Sequence, residues 1–111
     1  MVMKNGKNQY VMCIISAPRE MAEAIAKAFV TQKLAACAQI INPIRSIYWW
    51  KGKIEEEREA LLLLKTKAAL TEKIKNKLKE VHPYEVPELT IIPIQDGYAP
   101  YLSWISESLS M

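Results

Sequence analysis

Apolar and polar positions change rhythm several times along this 111-residue chain. Tyr10 to Ile15 is a continuous apolar run, the pattern of a strand buried on both faces. Ser16 then offers a helix N-cap and Pro18 suits a first turn. Met21, Ile25, Ala28 and Phe29 follow at helical spacing, with Glu20, Glu23, Lys27 and Gln32 mostly on the other side, so an amphipathic helix ends near Lys33. Leu34 to Ile41 is apolar again, Asn42-Pro43 bends it, and Ile44 to Trp50 resumes with β-branched and aromatic residues that favour strand. Lys51-Gly52-Lys53 reads as a tight turn.

The stretch Ile54 to Val81 is ambiguous. It has no Gly or Pro and is rich in Glu, Lys, Leu and Ala, so propensity alone makes it one long helix. Ala60 to Leu64, however, would wrap apolar side chains round every face of a polar helix, and the turn at Gly52 calls for a partner strand. The better division is a strand from Ile54 to Lys65, with Thr66 capping a helix from Lys67 to Val81 whose buried stripe is Leu70, Ile74, Leu78 and Val81. His82-Pro83 stops that helix. Glu88 to Ile94 forms a strand with Pro93 at an edge or bulge, Asp96-Gly97 turns, and Tyr98 to Leu109 closes as a short helix. The order is β-α-β-β-α-β with an extra C-terminal helix, an α+β, ferredoxin-like antiparallel sheet. Residues 1–111 read as a single domain, with 1–9 as a flexible N-terminal tail.

The central hairpin is long for such a domain. Its strands, Leu34 to Lys65 about one turn, would each reach ~40 Å at ~3.3 Å per residue. Alternation sends Tyr48 and Trp50 to one face and Trp49 to the other, so both faces of the tip carry large aromatics. Pairing with another copy of the chain would cover them and hide strand edges. The alternative is a hairpin folded back on its own core.

Composition adds limits. Half the residues are hydrophobic and 24% are charged, an ordinary globular balance, and the net charge is +3 with both signs interleaved. The densest basic run, Lys65 to Lys79, has helical spacing and reads as a solvated helix face, not a nucleic-acid stripe. No apolar stretch reaches the ~18 residues of a membrane span. Cys13 and Cys37, each in an apolar run, fit free buried thiols in a reducing cytoplasm.

Five segments then become specific together: Lys33-Leu-Ala-Ala-Cys-Ala, Ser46-Ile-Tyr-Trp-Trp-Lys-Gly-Lys-Ile-Glu, Leu64-Lys-Thr, His82-Pro-Tyr-Glu-Val-Pro-Glu and Tyr101-Leu-Ser-Trp-Ile. In this order and spacing the chain resembles the CutA family of divalent-cation tolerance proteins. The resemblance implies a ferredoxin-like fold and a tight homotrimer with hairpins paired between subunits, similar to the trimeric PII signalling proteins. It also implies tolerance of copper and other divalent metals, copper binding in some members, and no established catalytic activity. It settles Ile54 to Lys65 as strand. Glu85, Glu59, Lys67, Tyr84 and Trp50 fall in matching segments, which implies places in clefts between subunits; bland turn, strand and cap roles are the alternative.

Metal ligands cluster, and this chain has one histidine, two cysteines and no paired ligand motif. His82 is the best single candidate for Cu(II) or another divalent cation, against a histidine that satisfies the last helix carbonyls. Some CutA relatives carry a Cys before the Ser/Thr-Ala-Pro triplet and a second His before His-Pro-Tyr. Here Ile15 and Val81 stand there, which removes two such ligands. Cys13, two residues earlier on the same strand face, is the candidate substitute, and Cys37 stands where the family often has cysteine; the alternative for both is a buried packing thiol. Cys37 with His82 could make a nucleophile–base pair, but no orienting group or Gly-rich oxyanion loop accompanies them, so no catalytic residue is assigned. The expected role is a metal-responsive homotrimer without nucleic-acid or membrane partners. The competing role is a PII-like signalling or scaffold protein that takes a small ligand or partner in its clefts.

Overall fold

A computed structural model describes residues 9–110. The expected tail is thereby outside the described residues except for Gln9, whose carbonyl accepts the Ala68 N–H at 2.8 Å. The elements in chain order are β1 (Tyr10–Ala17), α1 (Ala22–Thr31), β2 (Cys37–Trp50), β3 (Lys53–Lys67), α2 (Thr71–Val81), β4 (Thr90–Pro93) and α3 (Ala99–Ser108). One antiparallel sheet has the strand order β2-β3-β1-β4, the ferredoxin-like arrangement expected from the element order.

The core lies on one face of this sheet. Val11, Cys13, Ile15 and Ala17 of β1 stand beside Ala60, Leu62 and Leu64 of β3, and all are buried against Ile25 and Phe29 of α1 and Ile74 and Leu78 of α2. Period-2 alternation on the strands meets period-3.6 stripes on the helices. The other face is covered only in part. At one end α3 lies against it: Tyr10 Oη and Ser106 Oγ are 2.8 Å apart, and Lys67 Nζ donates to the same Ser106 Oγ at 3.2 Å. Ile105 is buried there, apart from the main cluster.

Several expected boundaries move. Ser16 is not a helix cap; β1 runs through it to Ala17, and a 3-10 turn at Arg19–Met21 leads into α1. Thr66 is not a cap either. It belongs to β3, is fully buried, and donates its hydroxyl to the Leu34 carbonyl at 2.7 Å. A 3-10 turn at Ala68–Leu70 follows, so α2 starts at Thr71 and not at Lys67. In both places a β ladder extends two residues further than propensity suggests, because each added residue gains a paired neighbour: Ala17 faces Ala60 and Lys67 faces Tyr10. Strand β4 is shorter than Glu88 to Ile94, and the first hairpin strand begins at Cys37, not Leu34.

The hairpin projects as its length requires. The molecule measures 44 × 32 × 24 Å, and its 14.8 Å radius of gyration exceeds the ~13 Å of a compact chain this size. The register slips between Ile41 and Ile44, where the Asn42–Pro43 peptide is cis and Arg19 Nε donates to Asn42 Oδ1 at 2.8 Å. Lys51 and Gly52 both have positive φ (51° and 80°), which gives the two-residue reversal whose twist matches a hairpin. Beyond the slip little is covered: Ile47 and Ile54 are each 63% exposed and Trp49 is 72% exposed.

Candidate functional site

The residues opposite one another in the hairpin share a face. Tyr48 faces Glu55, Ser46 faces Glu57 and Ile44 faces Glu59, so β3 sets Glu55, Glu57 and Glu59 in a row on the partly open side of the sheet. Trp49 faces Ile54 on the reverse side, where Arg45 Nε also donates to Glu56 at 2.8 Å. The α2–β4 connection then brings Tyr84, Glu85 and Glu88 to this row. Together they bound an open cleft of about 960 Å³ that Trp50 also lines.

His82 holds the connection in place. It is 7% exposed, its Nε2 is 2.7 Å from the Ser16 carbonyl, and its Nδ1 accepts the Tyr84 N–H at 3.2 Å. A carbonyl can only accept and a peptide N–H can only donate, so the ring is the neutral tautomer with its proton on Nε2. The ring also meets that of Tyr84 edge-on, with centroids 4.6 Å apart. So fixed, Tyr84 donates its hydroxyl to Glu59 Oε2 at 2.6 Å, and Tyr48 donates to Glu57. Burial first, then the bond to Glu59, hold the Tyr84 phenol well above its usual range. The bond to Glu57 pushes the Tyr48 phenol up to about 12, with Glu59 and Glu55 adding to the effect.

Of the expected cleft residues, Trp50, Glu59, Tyr84 and Glu85 line this one cavity. Lys67 does not join them within the chain. It sits eight residues along β3 from Glu59, roughly 26 Å at ~3.3 Å per residue, with its Nζ over the Tyr10 ring at 4.9 Å. Tyr48 and Glu57 were missed as cleft residues, although their alternation with Trp50 and Glu59 was readable.

The three expected metal ligands are not brought together. His82 has both ring nitrogens engaged. Cys13 is fully buried between β3 and β4, and burial pushes its thiol up to about 11, which disfavours the thiolate that a metal needs. Cys37 Sγ lies 3.8 Å from the Tyr101 hydroxyl, whose phenol is held above its usual pKa by burial and then by that contact. Among the described residues no three His, Cys, Asp or Glu side chains are placed to hold one ion. These donors do not fit a shared centre within one chain, and the Cys37–His82 pair considered for nucleophilic chemistry is likewise not assembled.

The model of the CutA1 divalent ion tolerance protein family matches residues 10–108. The chain belongs to the CutA family. Protein CutA of Homo sapiens is 44% identical over 94 residues, which are 84% of this chain and 52% of that protein; the chain spans about half the length of this relative. The divalent-cation tolerance protein CutA of Thermus thermophilus is 43% identical over 98 residues, 88% of this chain and 95% of its own. Among solved structures, the PII-like protein CutA from Nostoc sp. PCC 7120 matches with a TM-score of 0.84 at 30% identity, over 89% of this chain and 96% of that one. A CutA from Archaeoglobus fulgidus, described as periplasmic, matches with a TM-score of 0.86 at 39% identity, over 90% and 98%. The CutA fold thus carries the cleft, and no helix among the described residues is long and apolar enough to cross a membrane.

Proposed function

We propose that this CutA-family chain works as a cytoplasmic homotrimer that serves tolerance of divalent cations, copper among them, by binding and not by catalysis. The observation that carries the trimer is the apolar second face of the sheet. Met12 faces Ile92, Ile14 faces Leu63, and Ile41 faces Leu61, all on the side away from α1 and α2. These six side chains are half-buried or exposed. Covering what remains of them would contribute on the order of 5 kcal/mol per subunit. The projecting hairpin, with Ile47, Trp49 and Ile54 open, supplies the arm that a neighbour would cover.

A second reading has its own observation. The cleft beside Tyr84 and Glu59 has the volume of a small-molecule site, which favours a PII-like protein that takes a ligand or partner there.

Sedimentation equilibrium at micromolar concentration tests the assembly. The wild type is expected at three times the chain mass, and Leu63→Lys, which puts a charge in the open face, at the mass of one chain. A wild-type monomer, or an undisturbed Leu63→Lys trimer, would overturn the reading.

A further inference from the structure

The connection between α2 and β4 is pinned at few points. Among the described residues, none of 83–88 donates or accepts a backbone–backbone hydrogen bond, and Pro83 and Pro87 have no N–H to offer. Val86, in its middle, is 67% exposed. Leu89 packs on the core at the far end, and Glu88 bonds only to its neighbour Thr90. What ties the middle of the segment to the sheet is Tyr84. Its N–H donates to His82 Nδ1 at 3.2 Å and its hydroxyl to Glu59 Oε2 at 2.6 Å.

His82 itself is anchored separately. Its backbone N–H closes α2 on the Leu78 carbonyl at 3.0 Å. The β1–β4 ladder ends at the Ile14–Thr90 pair, so Ser16 lies beyond it, and the imidazole Nε2–H takes the Ser16 carbonyl in place of a strand partner. The two ring nitrogens therefore respond differently to a proton. Nε2 already carries one, and protonation leaves its bond to Ser16 intact. Nδ1 is the acceptor, and a proton there sets an N–H against the Tyr84 N–H, donor against donor. Imidazole is the side chain whose charge ordinarily changes between about pH 5 and 8. An imidazolium at this place would meet the carbonyl end of α2, with Lys79 and the Lys77-paired Glu80 in its last turn. From the connection it would meet Tyr84 and Glu85, and from β3, behind the Tyr84 ring, Glu59 and Glu57. From β1 it meets only the Ser16 carbonyl, since Arg19 beyond that strand is turned to Asn42.

We propose that His82 is a proton-operated latch on the α2–β4 connection: neutral, it holds Tyr84 against Glu59, and protonated, it stays docked on Ser16 and lets residues 83–88 swing away, which opens that wall of the cleft. As regulation of ligand entry the latch rests on the second reading above. As a movement of the chain it is read on the protein alone.

The full chain carries one histidine, so its ring signals in an NMR titration belong to His82. The titration runs from about pH 8 to about pH 5. The Tyr84 amide is expected to shift with the midpoint of the ring, and its hydrogen exchange, corrected for the intrinsic pH dependence, to quicken at least about tenfold. The amides paired between β1 and β3 should hold still. His82→Gln, which keeps a donor for Ser16 and does not titrate, should show no such response. If that variant does not fold, the comparison of ring and amide midpoints in the wild type decides alone. A ring that stays neutral to about pH 5, or one that titrates without moving Tyr84, would overturn the proposal. So would the same response in folded His82→Gln, or unfolding of the whole chain at the midpoint of the ring. Sedimentation at pH 8 decides the trimer and a ligand screen decides the second reading, so each idea fails separately from the latch.

Discussion

Replacing His82 by alanine removes three contacts at once, and the structure gives each a magnitude. The Ser16 carbonyl, in a residue 8% exposed, loses the donor 2.7 Å away, and an unsatisfied buried acceptor costs about 1–3 kcal/mol. The edge-on contact with the Tyr84 ring is worth a further ~0.5–1.5 kcal/mol. The Tyr84 N–H also loses its acceptor, but it is only part-buried and can turn to water. The variant is therefore expected to lose about 2–4 kcal/mol, a large share of the stability of a domain this size. At a urea slope of ~2 kcal/mol/M the unfolding midpoint should fall by roughly 1–2 M. The comparison must hold protein concentration fixed, since assembly contributes to apparent stability. His82→Gln, which keeps a donor of similar reach, should regain part of the loss. A Cu(II) titration runs alongside; with both ring nitrogens already engaged, folded wild type and variant should bind copper alike. A variant within about 0.5 kcal/mol of wild type that has lost copper binding would refute the reasoning, because the imidazole would then serve a metal and not the Ser16–Tyr84 connection.

Two more expectations concern buried groups. Burial raises the Cys13 thiol from 9.0 to about 11, so the folded state keeps a proton that the unfolded state releases, and stability should decline between pH 9 and 11. Cys13→Ala should flatten that decline, as read by denaturation midpoints across the window; the same slope in both proteins would show that other groups cause it. Thr66→Val keeps the shape but strips the hydroxyl that caps the Leu34 carbonyl, and should cost about 1–2 kcal/mol in urea denaturation. A neutral result would mean that water replaces the bond.

Much of the fold was legible because it rests on local periodicity. Continuous apolar runs marked β1 and the inner part of β3, the 3.6-residue stripe marked Ile25 and Phe29, and Gly52 marked the reversal that it makes. The cleft was legible in part. Trp50, Glu59, Tyr84 and Glu85 were named, as residues of clefts between subunits, from the segments they share with the CutA family, and within the single chain these four line one cavity. Lys67 came from the same comparison and packs on Tyr10 and Ser106, at the other end of its strand.

By itself the sequence determined the element order, the overlong hairpin and the family, since these depend on residue spacing along the chain. Tertiary structure alone decided the rest, because hydrogen-bond partners far apart in sequence cannot be read from spacing. Ser16 and Thr66 looked like caps, as short hydroxyl side chains before helical patterns do. Strand pairing kept both in the sheet, the Ser16 carbonyl went to His82, and the Thr66 hydroxyl went to Leu34. His82 was a candidate metal ligand weighed against a histidine that satisfies the last helix carbonyls, since a lone imidazole beside a proline shows nothing of its partners. The fold brought it to β1, filled both of its nitrogens, and so aimed Tyr84 at Glu59.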